Sequence, residues 1–155
     1  IDLPIPEQML PATLIDCFRL HTKTECLEGD NAWLNDKTNK KQRAMKGLTY
    51  WNFPMILVID LKRFTNDNRK NTVYVDYPVK NLNLSEFVIG YNKDSYVYDL
   101  YGVCVHSGGV LGGHYYAYVK NKNGKWYKFN DTEVTEIDES QVVVQGAYCL
   151  FYQKK

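Results

Sequence analysis

The sequence lacks an excess of charge of either sign. Nineteen Lys and Arg residues are balanced by 18 Asp and Glu residues, so the formal net charge is +1 over 155 residues. Such a small net charge does not favour nucleic acid or an anionic membrane surface as a partner. No apolar run is long enough to cross a bilayer. We therefore expect a chain that binds neither nucleic acid nor membrane.

The first residues lack the features of a targeting segment. Residues 1–6 contain neither a basic region nor an apolar core, so we do not expect them to form a signal peptide. An initiator Met is also missing, and we expect the chain to be part of a longer protein. With 45% hydrophobic residues, it is suited to form one domain, or part of one, around a buried core.

The sequence lacks any C-x-x-C pair among its four cysteines. Without a secretory signal, reduced thiols in a cytoplasmic or nuclear protein are the better interpretation of Cys17, Cys26, Cys104 and Cys149. Cys17 and Cys149 fall in apolar segments and are expected to be buried and inert. Cys104 shares a predicted strand face with His106, which makes it the least poor candidate for a nucleophile. None resembles a Cys activated at a helix N-terminus.

Aromatic and β-branched residues are abundant, and their alternation predicts antiparallel strands. The predicted strands are residues 55–61, as a central strand covered on both faces, then 70–77, 96–106, an aromatic hairpin, and 147–152, which closes the sheet. Helix is sparse: Thr13 is predicted to cap a helix at 14–19, and 138–143 form one short turn. Residues 28–46 are predicted to be an exposed loop or ribbon. The fold class is therefore α+β, mainly antiparallel sheet.

The hairpin at residues 112–131 carries the clearest chemical signal. His114 follows Gly112 and Gly113 and opens one aromatic strand, and a second aromatic strand ends in Asn130 and Asp131. The glycines leave room for another backbone, and an imidazole titrates near neutral pH, as a general base toward a thiol requires. These residues form two-thirds of a Cys-His-Asn/Asp triad. The alternative is structural: a lone His often makes one hydrogen bond, and Asn and Asp often cap turns.

The partner of His114 depends on the number of residues in the hairpin turn, because side chains alternate between the two faces of a strand. A turn with an odd number of residues places Asn130 on the His114 face. A two-residue Asn123-Gly124 turn places Asp131 there, and Asn-Gly is the strongest local hairpin signal. A bulge would reverse the parity. The residues alone leave both assignments open.

Several motifs stand in a fixed order along the chain. Residues 53–64 contain Phe-Pro-Met-Ile-Leu-Val-Ile-Asp-Leu-Lys-Arg-Phe, and further matches lie at 3–5, 33, 42–44, 98–103, the histidine hairpin and 147–152. Together they resemble the C-terminal part of the ubiquitin-specific protease domain, the cysteine-dependent deubiquitinating enzymes. The resemblance covers essentially residues 1–155. It implies a papain-like deubiquitinase palm at about 51–155 with part of the fingers, a ribbon at about 20–50.

The resemblance also implies a reaction, the hydrolysis of the isopeptide bond after the C-terminal glycines of ubiquitin. Ubiquitin or ubiquitinated proteins would then be the partners. His114 would deprotonate a nucleophilic Cys and later protonate the leaving amine. The resemblance favours Asn130 as the residue that orients His114, with Asp131 second.

The same resemblance implies a substrate path beside the histidine. Gly112 and Gly113 would admit the slender di-glycine tail of ubiquitin, where a side chain would clash. Tyr115 would pack near that tail. His106 precedes a loop at 107–111 that is expected to be mobile and to face the substrate.

Two features of the family are not found in this sequence. The first is the cysteine box that holds the nucleophile, which we expect on a missing segment or a second chain; the alternative is a non-catalytic ubiquitin-binding pseudoenzyme or fragment. The second is a zinc ligand pair, which would fall at Asn35 and Thr38. A structural zinc needs four Cys or His ligands, so we expect no metal and no other cofactor.

Overall fold

A computed structural model describes residues 1–7, 11–65 and 67–155. In these residues the helix α1 spans Leu14–Thr22. The strands are β1 Asp2–Leu3, β2 Ala12–Thr13, β3 Glu25–Leu27, β4 Trp33–Asn35, β5 Lys40–Gln42, β6 Ala44–Lys46, β7 Ile56–Leu61, β8 Val75–Asp76, β9 Leu82–Asn83, β10 Val97–Gly108, β11 Gly113–Lys120, β12 Trp126–Asn130, β13 Glu133–Ile137 and β14 Ala147–Lys154.

An eight-stranded sheet organises the chain. Its order is β1-β7-β14-β10-β11-β12-β13, and β9 pairs with β10. Every pair is antiparallel except β1 with β7, which is parallel. The predicted α+β fold with a mainly antiparallel sheet is confirmed. No helix in the described ranges has the length and apolar character to cross a membrane.

The core lies on one face of this sheet. Leu57 and Ile59 of β7 face the same way as Val103 of β10 and Leu150 of β14, since these residues are linked by the strand register. All four are buried in one cluster with Phe18 of α1. Full burial of such a side chain contributes about 1.5–3 kcal/mol, so this cluster is the main source of stability.

The opposite face corrects one prediction. Residues 55–61 were expected to be covered on both faces, but Met55, Ile56 and Val58 are exposed. Strand β7 lies one strand from the edge, and in the described part of the chain no layer packs over its Val58 face. A continuous apolar run indicates strand but does not reveal how many faces are covered. The strand predicted at 147–152 also does not close the sheet: β14 is last in the chain, but it lies between β7 and β10.

The helix begins as its sequence predicts. The Thr13 hydroxyl accepts a hydrogen bond from the Asp16 backbone N–H at 3.1 Å, and the Asp16 carboxylate accepts one from the Thr13 N–H at 3.0 Å. These bonds form a capping box. The Asp16 carboxylate also accepts a hydrogen bond from the Thr13 hydroxyl, and this bond, followed by the one from the Thr13 N–H, lowers the pKa of Asp16. The helix runs three residues beyond its predicted end at 19, to Thr22. The short turn predicted near 138–143 is a 3₁₀ turn at Glu139–Gln141, capped by Asp138.

The strand predicted at 70–77 is mostly irregular. Only β8 is a strand, and it pairs in parallel with β2. The reason lies with Arg63, whose Nη1 donates to the carbonyl oxygens of Asn71 at 3.1 Å and Val73 at 2.9 Å. Because a side chain occupies these backbone acceptors, they do not form a strand ladder.

Residues 25–46 form an exposed ribbon. Strand β3 pairs with β6, and β4 pairs with β5, both antiparallel. Most of the side chains are polar and exposed, in agreement with the loop or ribbon expected at 28–46.

Tyr77 joins the irregular segment to the loop before β14. Its buried hydroxyl donates to the Val142 carbonyl at 2.7 Å and accepts from the Val144 N–H at 3.1 Å. We expect Tyr77→Phe to lower the free energy of unfolding by about 1–3 kcal/mol, because two buried backbone groups lose their partner. Tyr91→Phe, at a residue that is 81% exposed, should change it by less than about 0.5 kcal/mol. Urea unfolding measures both, and equal values would contradict the role given to Tyr77.

Candidate active site

The turn between β11 and β12 determines which side chain faces His114. The Asn121 N–H donates to the Lys125 carbonyl at 2.9 Å, and the Gly124 N–H donates to the Asn121 carbonyl at 2.9 Å. The loop is therefore residues 122–124, an odd number, and Gly124 takes a left-handed φ of +79°. This is the form of a three-residue hairpin loop in which the last residue is left-handed. The Asn123-Gly124 pair does not make a two-residue turn.

The register that follows from this loop brings His114 and Asn130 together. The His114 Nε2 lies 2.5 Å from the Asn130 Oδ1. An amide oxygen only accepts hydrogen bonds, so the neutral imidazole carries its proton on Nε2 and leaves the Nδ1 lone pair free. The His114 side chain is 50% exposed, so about half of it can be reached from outside this chain. The geometry thus holds an oriented and accessible base.

Asp131 is a neighbour of the imidazole but not its hydrogen-bond partner. Its Oδ2 is 3.9 Å from the His114 Nε2, and its side chain is 77% exposed. The residue has a left-handed φ of +52° and opens the tight turn from β12 to β13. At this distance a carboxylate acts only through its charge, which solvent screens.

The two glycines before His114 differ in their surroundings. A Cβ added at Gly112 would meet no heavy atom within 4 Å, so space beside it is open. A Cβ at Gly113 would collide with the His106 imidazole and would lie 2.5 Å from the Ser107 carbonyl oxygen. Gly113 is therefore required by the packing of the chain itself. Tyr115 is 52% exposed, and the strand register places it on the His106 face of the sheet, opposite the face of His114.

His106 has a different environment from the one expected for a substrate contact. It is only 5% exposed, and its ring packs against Tyr115 with 4.6 Å between centroids. Burial lowers the pKa of His106, and the nearby Lys70 ammonium lowers it further. Sequence reasoning missed Lys70, because it lies far from the hairpin in sequence and no local motif marks it.

No cysteine is placed to act on His114. Cys104 shares a sheet face with His106, as predicted, but the strand register puts His114 on the opposite face. Burial raises the pKa of Cys104, and it raises the pKa values of Cys17 and Cys149 to about 12. All four cysteines are free thiols. The described residues therefore contain no activated nucleophile for this base.

The ribbon offers no thiolate where the resemblance would place zinc ligands. Asn35 instead accepts a hydrogen bond from the Lys37 N–H at 2.9 Å through its side chain, and its carbonyl accepts from the Thr38 N–H at 3.2 Å. Across the described ranges, no three His, Cys, Asp or Glu side chains are grouped as metal ligands. The absence of zinc stays a prediction.

The site thus consists of an oriented imidazole beside an Asn side chain on an antiparallel sheet. Comparisons with known proteins identify the family. The family model described as ubiquitin carboxyl-terminal hydrolase matches residues 10–152. The chain is 41% identical over 157 residues to "Ubiquitin carboxyl-terminal hydrolase 4" of Pongo abelii, covering 98% of this chain and 16% of that protein.

Two further relatives give similar values. "Ubiquitin carboxyl-terminal hydrolase 2" of Rattus norvegicus is 40% identical over 158 residues, which cover 99% of this chain and 25% of the relative. "Ubiquitin carboxyl-terminal hydrolase 15" of Rattus norvegicus is 41% identical over 146 residues, covering 92% and 15%. The chain belongs to the ubiquitin carboxyl-terminal hydrolase family, and it spans a quarter or less of the length of these relatives.

The thiols provide a test of the site. In the folded chain at pH 8, we expect iodoacetamide to alkylate Cys26 first and to leave Cys17 and Cys149 unmodified, because burial excludes the reagent and raises the pKa of both thiols. Peptide mass spectrometry over time measures this, and all four thiols should react in denaturant. Faster alkylation of Cys104 than of Cys26 would restore Cys104 as a candidate nucleophile.

Proposed function

We propose that this chain is the histidine-bearing palm of a papain-like deubiquitinase and that it supplies the general base and the residue that orients it. The observation that carries the proposal is the hydrogen bond between the His114 Nε2 and the Asn130 Oδ1. A purely structural role would not require the His114 imidazole to be half-exposed, to have a fixed tautomer and to keep its Nδ1 free. The names of the relatives support ubiquitin as the substrate.

The proposed reaction uses a Cys from a segment outside this chain. His114 Nδ1 takes the thiol proton, and the thiolate attacks the carbonyl carbon of the isopeptide bond after the ubiquitin C-terminus. The imidazolium then gives its proton to the leaving amine. Water hydrolyses the resulting thioester with His114 again as base. Asn130 keeps the Nε2 proton in place through both steps, so that Nδ1 stays directed at the reacting groups.

The proposed path of the ubiquitin tail runs beside Gly112. The open space there fits a backbone without side chains, which is the chemistry of a di-glycine tail. Gly113 contributes by letting β11 pass close over His106, whose ring packs against the half-exposed Tyr115. The four free thiols fit the reducing conditions of the cytoplasm or nucleus.

A non-catalytic ubiquitin-binding role is the second candidate, because no cysteine in the described residues faces His114. The His114–Asn130 pair favours the enzyme, since binding alone requires neither a fixed tautomer nor a free Nδ1. The two candidate functions predict different behaviour of the full-length protein. An enzyme hydrolyses a ubiquitin C-terminal amide, whereas a binding protein binds it without hydrolysis.

We expect His114→Ala in the full-length protein to reduce kcat on a fluorogenic ubiquitin substrate by several orders of magnitude and to leave ubiquitin affinity nearly unchanged. Steady-state kinetics and calorimetry measure the two quantities. The isolated 155-residue chain should be inactive. Near-normal turnover by the variant would make His114 structural, and no turnover by the unmodified full-length protein would favour the binding role.

The orienting residue has its own test. Asn130→Ala should slow turnover less than His114→Ala does, because the base remains but its tautomer and rotamer are no longer fixed. Asn130→Asp should retain substantial activity, since a carboxylate accepts the same N–H. Asp131→Ala is the matched control and should have the smallest effect, because its carboxylate is 3.9 Å from Nε2. A severe loss for Asp131→Ala with little change for Asn130→Ala would reverse the assignment.

A further inference from the structure

Lys70 connects the irregular segment after β7 to the end of β10. Its Nζ donates to the His106 Nδ1 at 2.9 Å, to the His106 carbonyl at 3.0 Å and to the Gly108 carbonyl at 2.8 Å. An ammonium group has three N–H donors, and all three are used here. Most lysines extend into solvent, so this arrangement requires an explanation.

These bonds define the state of the His106 ring. An ammonium cannot accept a hydrogen bond, so the His106 Nδ1 must be the acceptor and its proton must lie on Nε2. Burial and the Lys70 charge both lower the pKa of His106, which keeps the ring neutral. His106 is therefore not a second base. It is a neutral ring held in one orientation by Lys70.

The His106 ring in turn contacts the residues on both sides of His114. It fills the space that a side chain at Gly113 would occupy, and its ring lies against that of Tyr115. His114 stands between these two residues and pairs with Ser107, the residue after His106. The start of β11 therefore rests on a surface whose position is fixed by Lys70.

We propose that Lys70, acting through His106, is a positioning residue for the His114 base. The role rests on the proposed function of His114. Lys70 binds the backbone at the end of β10 through the carbonyls of His106 and Gly108, and it binds the His106 ring through Nδ1. The backbone of residues 113–115 therefore packs against a surface in one fixed position. Displacement of a catalytic group by about 1 Å can cost about 100-fold in rate, so such support has a measurable effect.

The test uses the full-length protein with a fluorogenic ubiquitin substrate. Lys70→Met keeps the length of the side chain but removes the charge and all three donors. We expect kcat to fall about 10- to 100-fold and KM to stay within about threefold. Lys62→Met is the control, because Lys62 is an exposed cation that follows the same strand. Equal kcat values for the two variants would overturn the proposal.

A spectroscopic signature separates positioning from a general loss of structure. In NMR titrations, removal of the Lys70 charge should move the His106 pKa upward toward its ordinary value. If Lys70→Met does not fold, Lys70→Gln retains N–H donors and should give an intermediate loss of kcat with the same upward shift. An unchanged His106 pKa in the folded variant would contradict the proposed contact.

A double-mutant cycle tests the route through His106. His106→Phe keeps a ring over Gly113 but removes the acceptor nitrogen. The pair Lys70→Met and His106→Phe should lose no more activity than the worse single variant, because both changes break one connection. Multiplied losses would show two independent effects and overturn the route. His114→Ala, measured in parallel, separates the two proposals. If His114→Ala retains turnover, the catalytic role of His114 is wrong. If His114→Ala is inactive but Lys70→Met is as active as Lys62→Met, only the role of Lys70 is wrong.

Discussion

The pairing of β10 with its neighbours is the constraint on which the structure depends. This strand is bonded to β9, β14 and β11, so it is the junction between the β7–β14 half of the sheet and the hairpin that carries His114. It contributes Tyr98, Leu100 and Val103 to the core. Its last residues accept the Lys70 hydrogen bonds. One continuous strand therefore connects the hydrophobic core to the candidate base. Because the core is rigid, it helps to hold His114 in position.

The site combines a fixed base with an open environment. His114 is half-exposed, and the backbone beside Gly112 has free space around it. The supporting residues are enclosed instead: His106 is buried, and all three N–H donors of Lys70 are hydrogen-bonded. This division is what a catalytic group requires, because the reacting atom must be reachable while its supports stay in one arrangement. Burial and the Lys70 charge lower the pKa of His106, which favours the neutral form of this supporting ring.

The features that sequence predicted best depend on local chemistry. The Thr13 cap, the antiparallel strands and the Asp138 turn all follow from residues within a few positions of one another. From sequence, either Asn130 or Asp131 could share the His114 face, depending on whether the hairpin loop has an odd or an even number of residues. The three-residue loop with its left-handed Gly124 selects Asn130. The features that sequence could not predict depend on tertiary packing. They are the exposed face of β7, the Arg63 hydrogen bonds to the backbone of Asn71 and Val73, and the contact between Lys70 and His106, and no local pattern encodes them.

The same β11–β12 register that pairs Asn130 with His114 also buries a large side chain. Trp126 begins β12, is 2% exposed, and lies on the same strand face as Asn130 because the two are four residues apart. A slip of the β11–β12 register by one residue would turn Asn130 away from His114, and it would also expose the indole of Trp126 to water. Loss of a buried Trp costs about 3–5 kcal/mol, comparable to much of the stability of a small domain. A molecule in which Asn130 does not face His114 would therefore also be less stable, so the burial of Trp126 favours the strand register that pairs these two side chains.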